Sequence, residues 1–259
     1  RKNMERQPYH FPELFTGDWD LFKKVLQNRQ TVFVFDMDGI LANSAKIVLK
    51  KFTEKTGVAV KPSEIDGWDF LTNLARKSGL SEETIEHAED DWYKAEVLGN
   101  AQRYLYIRPV IQKTVGYYGS ANNFVLTSRN HTLRESTSSW FRQKLPEIHD
   151  ENIIMRKEGD LRKSVPFKVD NLRIFAEAAP WIIFIDDNID FIKGALEAKI
   201  PNCLTVYVPL GKNMPDIRHE RLILIKRYPN EIQAMYPLMD AIGRAISQDG
   251  NNDSVAHSY

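Results

Sequence analysis

The chain has 259 residues, enough for one large domain or two small ones. Its hydrophobic fraction of 42% and charged fraction of 27% are those of a globular protein, and 35 basic side chains balance 35 acidic ones, so no global basic field holds nucleic acid by charge alone. A single cysteine, Cys203, excludes an internal disulfide and a cysteine-built zinc site, and fits a reducing, cytoplasmic setting.

Residues 1–30 read as a helical N-terminal extension dotted with aromatics. The first strand is VFVF at 32–35, which runs straight into Asp36-Met37-Asp38-Gly39. Residues 44–107 contain no strand pattern; Ser44 to Lys55, GWDFLTNLARKSGL and SEETIEHAEDDWYKAEVLGN read as helices, the last with Ser81 as N-cap and acids in its first turn. Further strands follow at FVL (124–126), NIIM (152–155), WIIFI (181–185) and LTVYV (204–208), with helical segments His131–Leu145 and Lys168–Ala178 between them. Near-continuous apolar runs suit strands covered on both faces. The pattern predicts an α/β fold, a doubly wound and mainly parallel sheet formed by 31–43 and 108–212, with a small helical cap at 44–107 inserted after the first strand.

Residues 213–247 read as a C-terminal extension with an amphipathic stretch at 231–247 interrupted by Pro237, and the polar tail 248–259 as disordered. The longest apolar runs, PWIIFI and RLILI, fall far short of the roughly 20 residues of a membrane span. No basic start followed by an apolar segment lies near Arg1, so no signal peptide is expected there.

Two acidic strand ends carry the chemistry. The first strand ends at Asp36 and Asp38, and the fourth at Asp186-Asp187-Asn188-Ile189-Asp190. The working crevice of an open parallel sheet lies at the carboxyl ends of its strands. If these two strands are neighbours, their carboxylates converge and repel, and a hard cation such as Mg²⁺ relieves the repulsion. Helix caps and loop acids are the plainer explanation for either pair alone; two pairs at such strand ends favour the metal site. An EF-hand calcium loop fits poorly, because Ile40 stands at its fifth position and the glycine arrives two places early.

Asp36-x-Asp38-Gly39 after an apolar strand, then Thr127 after FVL, Lys168, and the Asp186-Asp187 pair resemble the four ordered motifs of haloacid dehalogenase superfamily phosphohydrolases. The resemblance spans Val32 to Gly211, and the helical insert stands where that superfamily carries a C1-type cap. It implies Asp36 as nucleophile forming an aspartyl-phosphate, and Asp38 as general acid and then base. An acid at position 38 favours phosphate esters over carbon–halogen or carbon–phosphorus bonds. Thr127, with backbone N–H groups near Ser128, is implied to hold the phosphoryl group, and Lys168 to neutralise it. Mg²⁺ is implied to bind Asp36, Asp186 and the backbone carbonyl of Asp38, with Asp187 and Asp190 weaker candidates.

The basic loop within MRKEGDLRKSVPFK, 155–168, resembles that of polynucleotide 3′-phosphatases, although Ser164 stands where those enzymes carry an acid. The TSRN turn, Thr127 to Asn130, and the cap resemble 5′-nucleotidases. Together they imply a partner that is a phosphorylated small molecule or a nucleic-acid end, with Ser128, Arg129 and Arg162 facing it. Trp68, Phe70, Trp92 and Tyr93 are candidates to stack on a base, although aromatics at helical spacing are more often core. The six histidines show no ligand spacing. Alternatives are a small-metabolite phosphatase of the same superfamily and a non-catalytic scaffold; a phospho-receiver domain fits poorly, being about half this length and without a cap.

Overall fold

The computed structural model describes residues 11–65, 67, 69–211, 216–227 and 235–247. The tail expected to be disordered, the first ten residues, Trp68 and residues 231–234 of the amphipathic stretch lie outside them. The chain opens with α1 (Phe11–Leu14), β1 (Phe15–Thr16) and α2 (Trp19–Gln27), then enters β2 (Val32–Phe35). Four short helices follow, α3 (Ser44–Thr56), α4 (Phe70–Lys77), α5 (Glu82–Glu86) and α6 (Ala95–Leu98), before α7 (Ile107–Tyr118) returns the chain to β3 (Asn123–Leu126). The order then alternates: α8 (Arg134–Lys144), β4 (Ile153–Ile154), α9 (Ser164–Ala178), β5 (Ile182–Asp186), α10 (Ile189–Glu197), β6 (Cys203–Tyr207), β7 (Leu222–Ile225) and α11 (Tyr236–Ser247).

Seven strands among the described residues form one sheet in the order β1-β7-β6-β5-β2-β3-β4. All pairs are parallel except β1 with β7. This is the doubly wound, mainly parallel α/β fold that the strand spacing predicts. Two of the strands were not predicted. RLILI, considered above only for its length, supplies β7, and Phe15–Thr16 inside the helical extension pairs with Leu224 and Ile225. A short apolar run has no period to separate strand from helix, and two residues have none at all.

Alternation along the central strands explains both covered faces. Phe33 and Phe35 of β2, with Ile183 and Ile185 of β5, point into one core with residues of α2, α7 and α11. Val32, Val34, Ile182 and Phe184 point into the other, beneath Phe167 and Leu172 of α9 and Phe191 and Ala195 of α10. Each such side chain contributes about 1.5–3 kcal/mol on burial, so sliding a strand by one residue is strongly disfavoured.

The chain goes from β2 to β3 and β4 on one side, then crosses back to β5 on the other side of β2. That reversal opens a crevice at the carboxyl ends of β2 and β5. The helices between β2 and β3 are tied to it by two linkers that bond to each other: Asn43 N–H donates to the Gln102 carbonyl at 2.7 Å and Tyr104 N–H to the Leu41 carbonyl at 3.0 Å.

Candidate active site

Register decides which acids meet. Phe35 pairs with Ile185, and Asp36 N–H donates to the Ile185 carbonyl at 2.8 Å, so Asp36 and Asp186 emerge side by side. Both are buried. Lys168, on the first turns of α9 and 1% exposed, reaches between them, its Nζ 2.6 Å from Asp36 Oδ1 and 2.6 Å from Asp186 Oδ2. The ammonium also sits 3.9 Å from the centre of the Phe191 ring. Asp187 closes the group: carboxylate oxygens of Asp36, Asp186 and Asp187 lie within 4.8 Å of one another.

Electrostatics shows how much charge is crowded here. Burial raises the Asp36 carboxyl well above its ordinary value; Lys168 opposes this, while Asp186, Asp187 and Asp38 add to it. Burial and the neighbouring Asp186 push Asp187 up to about 7 against the pull of Arg227. Burial alone would lower Lys168, but Asp186 and Asp36 outweigh it and hold the ammonium charged. Three hard oxygen donors that repel one another are the set a divalent cation takes, so these residues fit such an ion.

Asp38 has a different setting. Its carboxylate takes a two-pronged bond from Arg129, Nε to Oδ2 at 2.8 Å and Nη2 to Oδ1 at 2.6 Å, and a hydrogen bond from Ser44 Oγ. Burial would raise Asp38, yet Arg129 and Ser44 prevail and hold it below the ordinary value. Arg129 is itself buried, and its Nη1 donates to Thr137 Oγ1 at 3.1 Å. Of the acids expected at a metal, Asp36, Asp186 and Asp187 converge by their side chains, while Asp38, expected there through its backbone carbonyl, has its side chain committed to Arg129 and Ser44.

Thr127 lies at the carboxyl end of β3, 1% exposed. Its N–H donates to the Ile154 carbonyl at 3.1 Å and its Oγ1 accepts the Arg129 N–H at 3.3 Å. It caps no helix; Asn130 does so for the short turn at His131. The Ser128 hydroxyl beside it is buried with no hydrogen-bond partner among the described residues.

Arg162 is not brought to this cluster. Its guanidinium pairs with Asp160 at 2.6 Å and Asp170 at 2.8 Å on the loop and first turns of α9. Asp160, two residues earlier, was the available sequence signal. Arg156 instead turns to Ser164, Nη2 donating to its Oγ at 2.6 Å. Asp190 is exposed in the first turn of α10, where its N–H is taken by the Asn188 cap. Phe70 and Trp92 pack against the core, and Tyr93 is exposed.

Two residues here carried no sequence signal. Arg227, after β7, is buried, donates to the Gly39 and Val208 carbonyls, and lies over the Tyr104 ring at 4.8 Å. Tyr104 is buried beneath it, its hydroxyl pushed up to about 12 by burial. If all are ionised, four carboxylates face Lys168, Arg129 and Arg227, one charge short of neutral.

No protein-family model matches the chain, and no curated protein matches it. Among solved structures it is similar to Protein Tyrosine Kinase A of Mycobacterium tuberculosis, with 18% identity and a TM-score of 0.51 over 83% of this chain and 98% of that one. The likeness is one of fold. A haloacid dehalogenase-like hydrolase of Streptococcus pneumoniae is 17% identical with a TM-score of 0.48, covering 80% of this chain and 99% of its own. CbbY of Rhodobacter sphaeroides, solved with phosphate, is 14% identical with a TM-score of 0.47, covering 81% and 98%. No helix among the described residues is long and apolar enough to cross a membrane.

Proposed function

We propose that this chain is a Mg²⁺-dependent phosphomonoester hydrolase of the haloacid dehalogenase type, acting on a nucleotide or nucleic-acid terminal phosphate. The observation that carries the reading is the buried bridge from Lys168 to Asp36 and Asp186, with a second aspartate, Asp38, two residues after the first. Asp36 attacks the phosphorus in line, and the ester oxygen leaves as an aspartyl-phosphate forms. Asp38 protonates the leaving oxygen, then takes a proton from the water that releases phosphate. The Arg129 fork holds Asp38 in the ionised form that the second half requires; to protonate the leaving group, Asp38 must first take a proton from solvent as that fork loosens.

Thr127 and Ser128 receive the phosphoryl oxygens, and the unpartnered Ser128 hydroxyl is a donor ready for one of them. Lys168 stays charged beside Asp36 and offsets the charge that spreads over the equatorial oxygens. Asp36, Asp186 and Asp187, with the Asp38 carbonyl that the family resemblance implies, would hold Mg²⁺, which would supply Lewis-acid stabilisation and relieve their repulsion. A scaffold would gain nothing from burying these charges, at several kcal/mol per ion. The nucleotide part of the reading is supported by exposed Lys157 and Lys163 in the loop after β4.

The test is turnover of an aryl phosphate with Mg²⁺ by the native chain and by Asp36→Asn and Asp38→Asn. Equal rates in all three end the phosphatase reading. A panel of mononucleotides, sugar phosphates and 3′- and 5′-phosphorylated oligonucleotides across a salt series then assigns the substrate. Steep salt dependence with oligonucleotides marks a polynucleotide groove. Preference for sugar phosphates transfers the assignment to a small metabolite.

A further inference from the structure

We propose that Arg227 is a positioning residue of this centre, locking the turn after β2 to the chain after β6 so that Asp187 stays among the metal-binding carboxylates. The inference rests on the metal-dependent reading above. Arg227 comes from a part of the chain that carries none of the acidic motifs, yet it bonds to the first acidic turn and to the residue that bonds to the second.

One guanidinium nitrogen donates to the Gly39 carbonyl, in the turn carrying Asp36 and Asp38, and to the Val208 carbonyl at 3.0 Å. Val208 in turn donates its N–H to the Asp186 carbonyl at 3.0 Å. The same side chain therefore grips the first acidic loop directly and the second through one residue. Gly39 is the residue against which Asp187 packs, so displacing its carbonyl displaces the wall of the carboxylate pocket. The guanidinium is buried and lies over Tyr104, in the second linker of the helical insertion, which limits its freedom. One nitrogen makes both bonds while the planar guanidinium lies over the Tyr104 ring; a lysine could bond a carbonyl with its ammonium but has no planar group to lie on that ring.

Charge and position make opposite predictions. Arg227 is a cation near Asp187, so as a mere charge it opposes an incoming divalent ion, and its removal tightens metal binding. As a positioning residue, its removal spreads the ligands and weakens binding.

The experiment compares the native chain with Arg227→Lys and Arg227→Gln. Mn²⁺ binding without substrate is read from the loss of the free-ion EPR signal, beside Mg²⁺-supported kinetics on an aryl phosphate and thermal melts. Expected for both variants is Mn²⁺ binding about 10–100-fold weaker and a similar fall in kcat, the usual range for partners that orient ligands, with KM for the ester unchanged. Unchanged or tighter Mn²⁺ binding by Arg227→Gln overturns the proposal, as does full retention of binding and kcat by Arg227→Lys. If both variants fail to fold, Tyr104→Leu, which removes only the supporting ring, replaces them; binding about 2–5-fold weaker is expected from a lost cation–π contact, and unchanged binding overturns the proposal. A native chain inactive on every phosphate ester, whose variants still lose Mn²⁺, sinks the phosphatase reading and leaves the role of Arg227 standing.

Discussion

Gly39 packs directly against Asp187: a Cβ added at Gly39 would lie 2.2 Å from Asp187 Oδ2. Gly39 also has φ of 92°, a conformation that side chains strain. Gly39→Ala is therefore expected to cost more than about 2 kcal/mol in urea unfolding and to weaken Mg²⁺ binding as the carboxylate moves aside. A variant with native stability and native Mg²⁺ affinity contradicts this packing.

Lys168 is the only cation bonded to both Asp36 and Asp186 among the described residues. Lys168→Met leaves two buried carboxylates facing one another, a loss of about 3–5 kcal/mol. Mg²⁺ is expected to restore part of that stability, because it supplies charge to the same oxygens. Urea titrations with and without Mg²⁺ measure both effects, and a variant as stable as the native chain excludes the pairing.

The pH dependence follows from the raised carboxyls. Asp36 and Asp187 hold protons in the folded chain that the unfolded chain releases. Their contribution to metal-free stability is thus greatest at low pH and is lost as pH rises from about 4 towards the Asp187 value near 7. Mg²⁺ requires the deprotonated ligands. Its stabilising shift in Tm is expected to be larger at about pH 8 than at about pH 5.5. Equal shifts at both values, followed by differential scanning fluorimetry, exclude protonatable ligands at the site.

Cys203 opens β6, 3% exposed, with its thiol pushed up to about 12 by burial. A chromogenic disulfide reagent is expected to react with it only in denaturant, since the thiolate is the reactive form. Fast reaction in native buffer counts against the packing of β6.

The strands at the centre of the sheet were readable because they are buried on both faces and show it as unbroken apolar runs. β7 and β1 were not, because edge pairing between Thr16 and Leu224 depends on segments at opposite ends of the chain. Motif order pointed to Asp36, Lys168 and Asp186; the register of β2 with β5 brings the two acids together, and α9 delivers Lys168 between them. For the arginines, residue type and charge left the partner undecided. Arg129 is drawn to Asp38 across the crevice, whereas Arg162 is held by Asp160 two residues away.

The chain by itself determined the fold class and the order of its chemical groups, since hydrophobic runs and strand-end acids are local properties of sequence. Tertiary structure alone decided which charges neutralise which. Arg227 reaching Gly39 and Arg129 gripping Asp38 depend on distances between segments far apart in sequence. In a buried site those distances govern the energy, because water is not there to screen a charge that lacks its partner.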